Sequence, residues 1–143
     1  MTAVAIGTND GVSVTSTHFG MSRNYIIYYI ENGTVKEKRT VTNPYADPEK
    51  HKHAETDDIM SVLKGVNVCI GRKMGRKSPP IICRYGRVPL LTKAKEVNQC
   101  FDAFLQSKSD LFEWFSLEEN KWVSIDPAVL QSLAKTADNE ETV

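Results

Sequence analysis

Residues 66–91 read VNVCIGRKMGRKSPPIICRYGRVPLL, and the fold turns on how they are parsed. Val66 to Ile70 is apolar and rich in β-branched residues, which predicts a buried strand. Gly71 to Lys77 is a basic loop punctuated by two glycines. Ser78 to Tyr85 predicts a short helix, with Ser78 as N-cap and Pro79 at the first helical position. Gly86 ends it, and Val88 to Leu91 is a second buried strand. Strand, helix, strand at this spacing is a crossover joining two parallel neighbours.

Working upstream, Ala3 to Thr8 reads as another short buried strand closed by Asn9-Asp10-Gly11, a turn signal. Val12 to Met21 has no clean period and is expected to be a loop. Asn24 to Ile30 and Thr34 to Val41 flank Asn32-Gly33, the strongest short hairpin signal. Asn43 to Lys52 is polar, carries two prolines and reads as a loop. A helix is expected from His53 to Lys64, with Glu55, Asp57 and Asp58 in its first turns, where the helix dipole favours acids.

Downstream, Ala94 to Gln106 reads as an amphipathic helix, with Val97, Cys100, Phe101, Phe104 and Leu105 on its core face. The fold class is therefore α/β: a mixed five-stranded sheet, an antiparallel hairpin joined to parallel strands, flanked by helices. Residues 1–107 are expected to form one domain. Residues 108–136 form a C-terminal extension packing on it. LFEWFSLEENKWVSI supplies two short aromatic strands, expected to cap an open sheet edge or core rather than to bind a partner protein, and Asp126-Pro127 opens a last helix. The polar, acidic residues 137–143 are expected to be disordered.

The chain has 143 residues, with 18 basic and 18 acidic side chains, enough for one domain with a substantial core. Its longest apolar run is Tyr25 to Ile30, far short of the roughly 20 residues of a membrane span. The N-terminus lacks the basic and apolar regions of a secretory signal. Cys69, Cys83 and Cys100 have neither disulfide-framework nor metal-knuckle spacing, which fits a reducing, cytoplasmic setting. Charge is unevenly spread. Between Ile59 and Lys95 there are nine basic residues and no carboxylate; from Glu96 onward ten acids face three bases. Such a basic zone points to an anionic partner.

The segment VAIGTNDGVSVTSTHFGMSRNYIIYYIENGTV, residues 4–35, carries a more specific pattern. A short strand and Asp10-Gly11 turn lead through Thr15 to Thr17 into His18-Phe19-Gly20. An aromatic strand from Tyr25 and the Asn32-Gly33 turn follow. This resembles the opening of the dinitrogenase iron–molybdenum cofactor biosynthesis family. Gly75 and Gly86 also fall where that family places a glycine loop and a helix end. The resemblance covers roughly residues 3 to 106. It departs at Arg72-Lys73 and Arg76-Lys77, where the family often has small residues, and at Pro79-Pro80.

What the resemblance implies is a ribonuclease-H-like fold without nuclease activity. It also implies non-catalytic binding, carrying or scaffolding of an iron–molybdenum cofactor precursor or related metal–sulfur cluster, with cluster donor and acceptor proteins as partners. The cofactor-binding candidates are His18, Phe19, Gly20, Arg72, Lys73, Gly75 and Arg76. The metal-ligand candidates are His18, His51 and His53.

The residues themselves leave alternatives beside each of these. The imidazole of His18 can ligate iron or molybdenum or donate to cluster sulfide, or simply order its loop. His51 and His53 lie in a strand-to-helix connection of the kind that borders ligand crevices, or form a solvated basic loop. Arg72, Lys73, Arg76 and Lys77 suit a polyanion, with the glycines letting main-chain N–H groups approach it; a plain basic surface is the alternative. Cys69 and Cys100 read as small core residues. A nuclease would need several carboxylates converging on metal ions, and only Asp10 lies near a core strand end. No nucleophile–base arrangement stands out, so the chain is read as a non-enzyme. An anion-binding, nucleic-acid-binding or regulatory module without metal remains the alternative. Nucleic acid is disfavoured by the lack of an aromatic RNA-binding strand pattern or helix-turn-helix.

Overall fold

Thr2–Thr8 forms β1, buried along its whole length, and everything else is arranged about it. The computed structural model describes residues 1–46 and 55–135. β2 (Asn24–Glu31) lies antiparallel on one side of β1 and β4 (Val68–Gly71) parallel on the other. A strand flanked on both sides and covered on both faces must be apolar throughout, which is why AVAIG shows no alternation. β3 (Thr34–Thr42) returns antiparallel to β2 through Asn32 and Gly33. Both take positive φ, 52° and 74°, the conformation a two-residue hairpin turn requires.

The remaining elements are α1 (Thr56–Val62), α2 (Ser78–Arg84), β5 (Val88–Thr92), α3 (Val97–Leu105), β6 (Phe112–Ser116), β7 (Lys121–Ser124) and α4 (Pro127–Leu133). The sheet order is β3-β2-β1-β4-β5-β6-β7. The parallel β4–α2–β5 unit is as expected. The strand count is corrected from five to seven. β6 pairs antiparallel with β5, Leu90 opposite Trp114, and β7 pairs with β6. The extension thus continues the sheet. Without it β5 would expose a row of unpaired N–H and C=O groups.

Side-chain alternation sends the sheet's apolar residues to two helical layers. Val4, Ile6, Ile26, Tyr28, Ile70 and Leu90 face α3 and α4, where Cys100, Phe101, Phe104 and Leu130 are buried. Ala3, Ala5, Tyr25, Ile27 and Cys69 face α1 and α2, meeting Ile59, Met60, Leu63 and Ile82.

Three helix starts differ from the sequence reading. α1 begins at Thr56 rather than His53, because Glu55 and Asp58 form a reciprocal capping box. α2 takes Lys77 as its cap residue, since the Ser78 hydroxyl is engaged with Thr56 Oγ1 at 2.9 Å. α3 begins at Val97 rather than Ala94, because the residues before it are bonded outside the helix: Thr92 Oγ1 accepts from Ala94 N, and Lys95 O accepts from Val14 N. Asp126 caps α4 as expected, accepting from Ala128 N at 2.8 Å. His51, His53, most of the expected loop ending at Lys52 and the acidic tail 137–143 lie outside the described residues.

Candidate functional site

The loop after β1 crosses the carboxyl ends of the central strands and builds the site as it goes. Asp10 Oδ1 accepts from Val12 N at 2.9 Å and Ser13 N at 2.7 Å. These main-chain donors hold its carboxyl below the usual carboxylate range. Its charge is thus committed to a turn. Next, Val14 bridges Thr8 of β1 and donates to Lys95 O, while Val97 N donates to Val12 O. The loop is thereby sewn between β1 and the β5–α3 connection.

Thr15 N donates to Gly7 O at 3.0 Å. Its side chain is 4% exposed, and its hydroxyl oxygen has no hydrogen-bond partner among the described residues. An unsatisfied buried hydroxyl costs stability. Thr15→Val is therefore expected to raise the unfolding free energy by about 1 kcal/mol and the melting temperature by about 3 °C. A fall in melting temperature, measured by circular dichroism, would show that the hydroxyl is satisfied.

The loop then reaches His18, which forms a parallel bridge with Lys73; Phe19 N donates to Lys73 O at 2.8 Å. This main-chain contact joins the His18-Phe19-Gly20 turn to the basic loop 71–77. His18 is exposed, whereas Phe19 is 3% exposed. The Phe19 ring lies over the backbone of β1 and β4. A methyl group at Gly71 would stand 2.9 Å from Phe19 Cβ, and one at Gly7 would stand 2.2 Å from Ser22 Oγ. Glycine at these positions makes room for the turn. Gly20 rests against Ile59 of α1.

Beneath the turn lies a polar clasp that no sequence motif announced. Phe19 O accepts from Tyr25 Oη at 2.9 Å and from Ser22 Oγ at 2.8 Å. Asn43 Nδ2 donates to Gly20 O, Ser22 O and Tyr25 Oη at 3.1, 2.8 and 3.3 Å. Burial raises the Tyr25 phenol, which stays protonated and available as a donor. The aromatic run of β2 was legible as core; its hydroxyl's partner, on a loop closed only in three dimensions, was not.

Gly75 stands beside His18. A methyl group there would lie 3.7 Å from His18 Nδ1 and 3.8 Å from Ser78 Oγ, so imidazole and hydroxyl border one gap. Arg72, Lys73, Arg76 and Lys77 line the same loop, and none has an ion-pair partner among the described residues. Four cations without a counter-charge among the described residues, next to an exposed imidazole, form a concentrated positive field.

The thiols lie elsewhere. Cys69 and Cys100 are buried, and burial pushes each up to about 12. Cys83 is half-buried, and burial raises it too. Protonated thiols are poor metal ligands. Among the described residues no three His, Cys, Asp or Glu side chains come together as a metal-ion site. What the described residues bring together at this loop is one imidazole, cations and N–H and O–H donors. No helix among the described residues is long and apolar enough to cross a membrane.

The chain is 29% identical over 98 residues to an uncharacterized protein of Methanocaldococcus jannaschii, MJ0580, covering 68% of this chain and 82% of that one. Among solved structures, MJ0327 of the same organism, provisionally named a dinitrogenase, superimposes with a TM-score of 0.59 at 15% identity, covering 80% and 94% of the two chains. TM1290 of Thermotoga, provisionally named a NifB protein, gives 0.55 at 26% identity, covering 74% and 89%. The sequence model of the family described as dinitrogenase iron–molybdenum cofactor matches residues 1–107. That match spans three-quarters of the chain and includes both loops of the site: the chain belongs to the dinitrogenase iron–molybdenum cofactor family.

Proposed function

We propose that the chain is a non-catalytic, cytoplasmic carrier that binds a preassembled anionic metal–sulfur cluster, an iron–molybdenum cofactor precursor or a related cluster, between His18 and the 71–77 loop. The observation that carries this reading is the bridge from His18 and Phe19 to Lys73, which sets an exposed imidazole against a basic, glycine-containing loop. His18 supplies a nitrogen ligand. The cations and main-chain N–H groups offset the cluster's charge without covalent attachment, which suits a cargo received from one protein and surrendered to another. His51 and His53 stand in the chain just before α1 and are candidates for further ligation. Residues 1–107 form the binding unit, and residues 108–136 serve it by closing the β5 edge.

The test is anaerobic purification from cells supplied with iron and molybdate, followed by a visible spectrum and assays of metal and acid-labile sulfide. Charge-transfer bands with stoichiometric metal and sulfide are expected, or their appearance when a thiomolybdate or iron–sulfur cluster is supplied. A colourless protein that also refuses the supplied clusters would overturn the reading. Salt-sensitive retention on nucleic acid by such a protein would replace it with an anion-binding module.

A further inference from the structure

The hydroxyls of Thr56 and Ser78 lie 22 residues apart in the chain and 2.9 Å apart in space. They join the first residue of α1 to the first residue of α2. Neither is spent on capping: Glu55 and Asp58 cap α1, and α2 has no side-chain cap. A hydroxyl carries one donor and two acceptor sites. A pair joined by one hydrogen bond therefore retains one free O–H, whichever atom donates. Both residues are half-buried, so that donor is partly withdrawn from water. Ser78 N donates to Gly75 O at 3.0 Å, which fixes Ser78 beside the gap it shares with His18 Nδ1.

We propose that the Thr56–Ser78 pair selects for cargo bearing a terminal oxo group, held by the Ser78 O–H while the metal–sulfide part faces His18. The inference rests on the carrier reading and specifies the class of ligand that this gap takes. A hydroxyl donating to an anionic oxygen makes a short, charge-assisted bond, whereas sulfur is a weak acceptor. An imidazole, by contrast, suits iron and related transition metals. The gap therefore has a hard side and a softer side, and a ligand with both kinds of terminus satisfies both. Ser78 is the member of the pair beside the gap, so its removal should remove the preference, whereas removing the Thr56 hydroxyl leaves the Ser78 O–H in place.

The experiment compares anaerobic binding of dioxodithiomolybdate and tetrathiomolybdate to the full chain by visible titration. Wild-type protein is expected to prefer the oxo-bearing probe by about tenfold, roughly one charge-assisted hydrogen bond. Ser78→Ala and the Thr56→Val/Ser78→Ala double variant should each bring that ratio near one, the double losing no more than Ser78→Ala, and Thr56→Val alone should keep it. Thr56→Ser should leave it unchanged. Equal weakening of both probes by the variants, or a wild-type preference for tetrathiomolybdate, would overturn the proposal and leave the carrier reading standing. Failure of the wild type to bind either probe would overturn both. Circular dichroism of each variant separates a lost contact from a lost fold.

Discussion

Phe19→Ala is expected to lower the unfolding free energy by about 3–4 kcal/mol and the melting temperature by about 10 °C. The ring is almost wholly buried, lies 4.9 Å from the Tyr25 ring centre and covers Gly71. Its removal opens a cavity beside Gly7 and Gly71, which have no side chains to fill it. The cost should therefore approach the full range for a buried phenylalanine. Gly71→Ala in the wild-type background crowds the same ring from below, the added carbon standing 2.9 Å from Phe19 Cβ, and should cost about 1–3 kcal/mol. In the Phe19→Ala background the ring contact at Cδ1, 3.2 Å, is lost while the Cβ contact at 2.9 Å stays, so the crowding is relieved in part and the double variant should be modestly more stable than the sum of the singles predicts. Urea denaturation of the four proteins measures this coupling. Strict additivity, or a loss below about 1 kcal/mol for Phe19→Ala, would mean the ring does not anchor the turn against β4.

How far the sequence reveals this arrangement follows from the range of the forces involved. The parallel unit from Val66 to Leu91 and the Asn32-Gly33 hairpin were legible because strand burial and turn chemistry are local. The hairpin of Trp114 and Trp122 was legible as strands closing an edge. Its continuation of the same sheet was not, because the Leu90–Trp114 pairing is set by tertiary register. Helix starts were misread where a side chain had a better partner elsewhere: Ser78 looks like a cap in sequence, but its hydroxyl meets Thr56 across the α1–α2 contact.

The site divides in the same way. His18, Lys73 and Gly75 could be singled out by type and position, and the structure brings them together. Tyr25, Asn43, Thr56 and Ser78 carry no motif, and their roles depend on contacts between segments distant in sequence. His-Phe-Gly turns out to be a composite: an exposed imidazole, a buried anchor and a glycine resting on α1. Family resemblance marks all three without distinguishing what each one does.

That division makes Gly75 the most informative position for testing where cargo sits. His18→Ala removes the proposed ligand and is expected to lower affinity for a supplied cluster about a hundredfold, roughly 2.7 kcal/mol. A lost histidine alone, however, cannot tell a ligand from a loop support. Gly75→Ala can. Gly75 does not occupy the left-handed region, and an added methyl group would meet His18 and Ser78 only at 3.7–3.8 Å, ordinary contact distances. The protein should accept it with unchanged or slightly higher stability, since alanine restricts the unfolded chain more than glycine does. Yet that methyl group fills the space between the imidazole and the hydroxyl. Gly75→Ala is therefore expected to keep its melting temperature while losing at least about tenfold in cluster affinity. Retained affinity would place the cargo outside the gap between His18 and Ser78. A joint fall in stability and affinity would assign the loss to folding. Undiminished stability with lost cargo is the result that only a ligand seated in that gap produces.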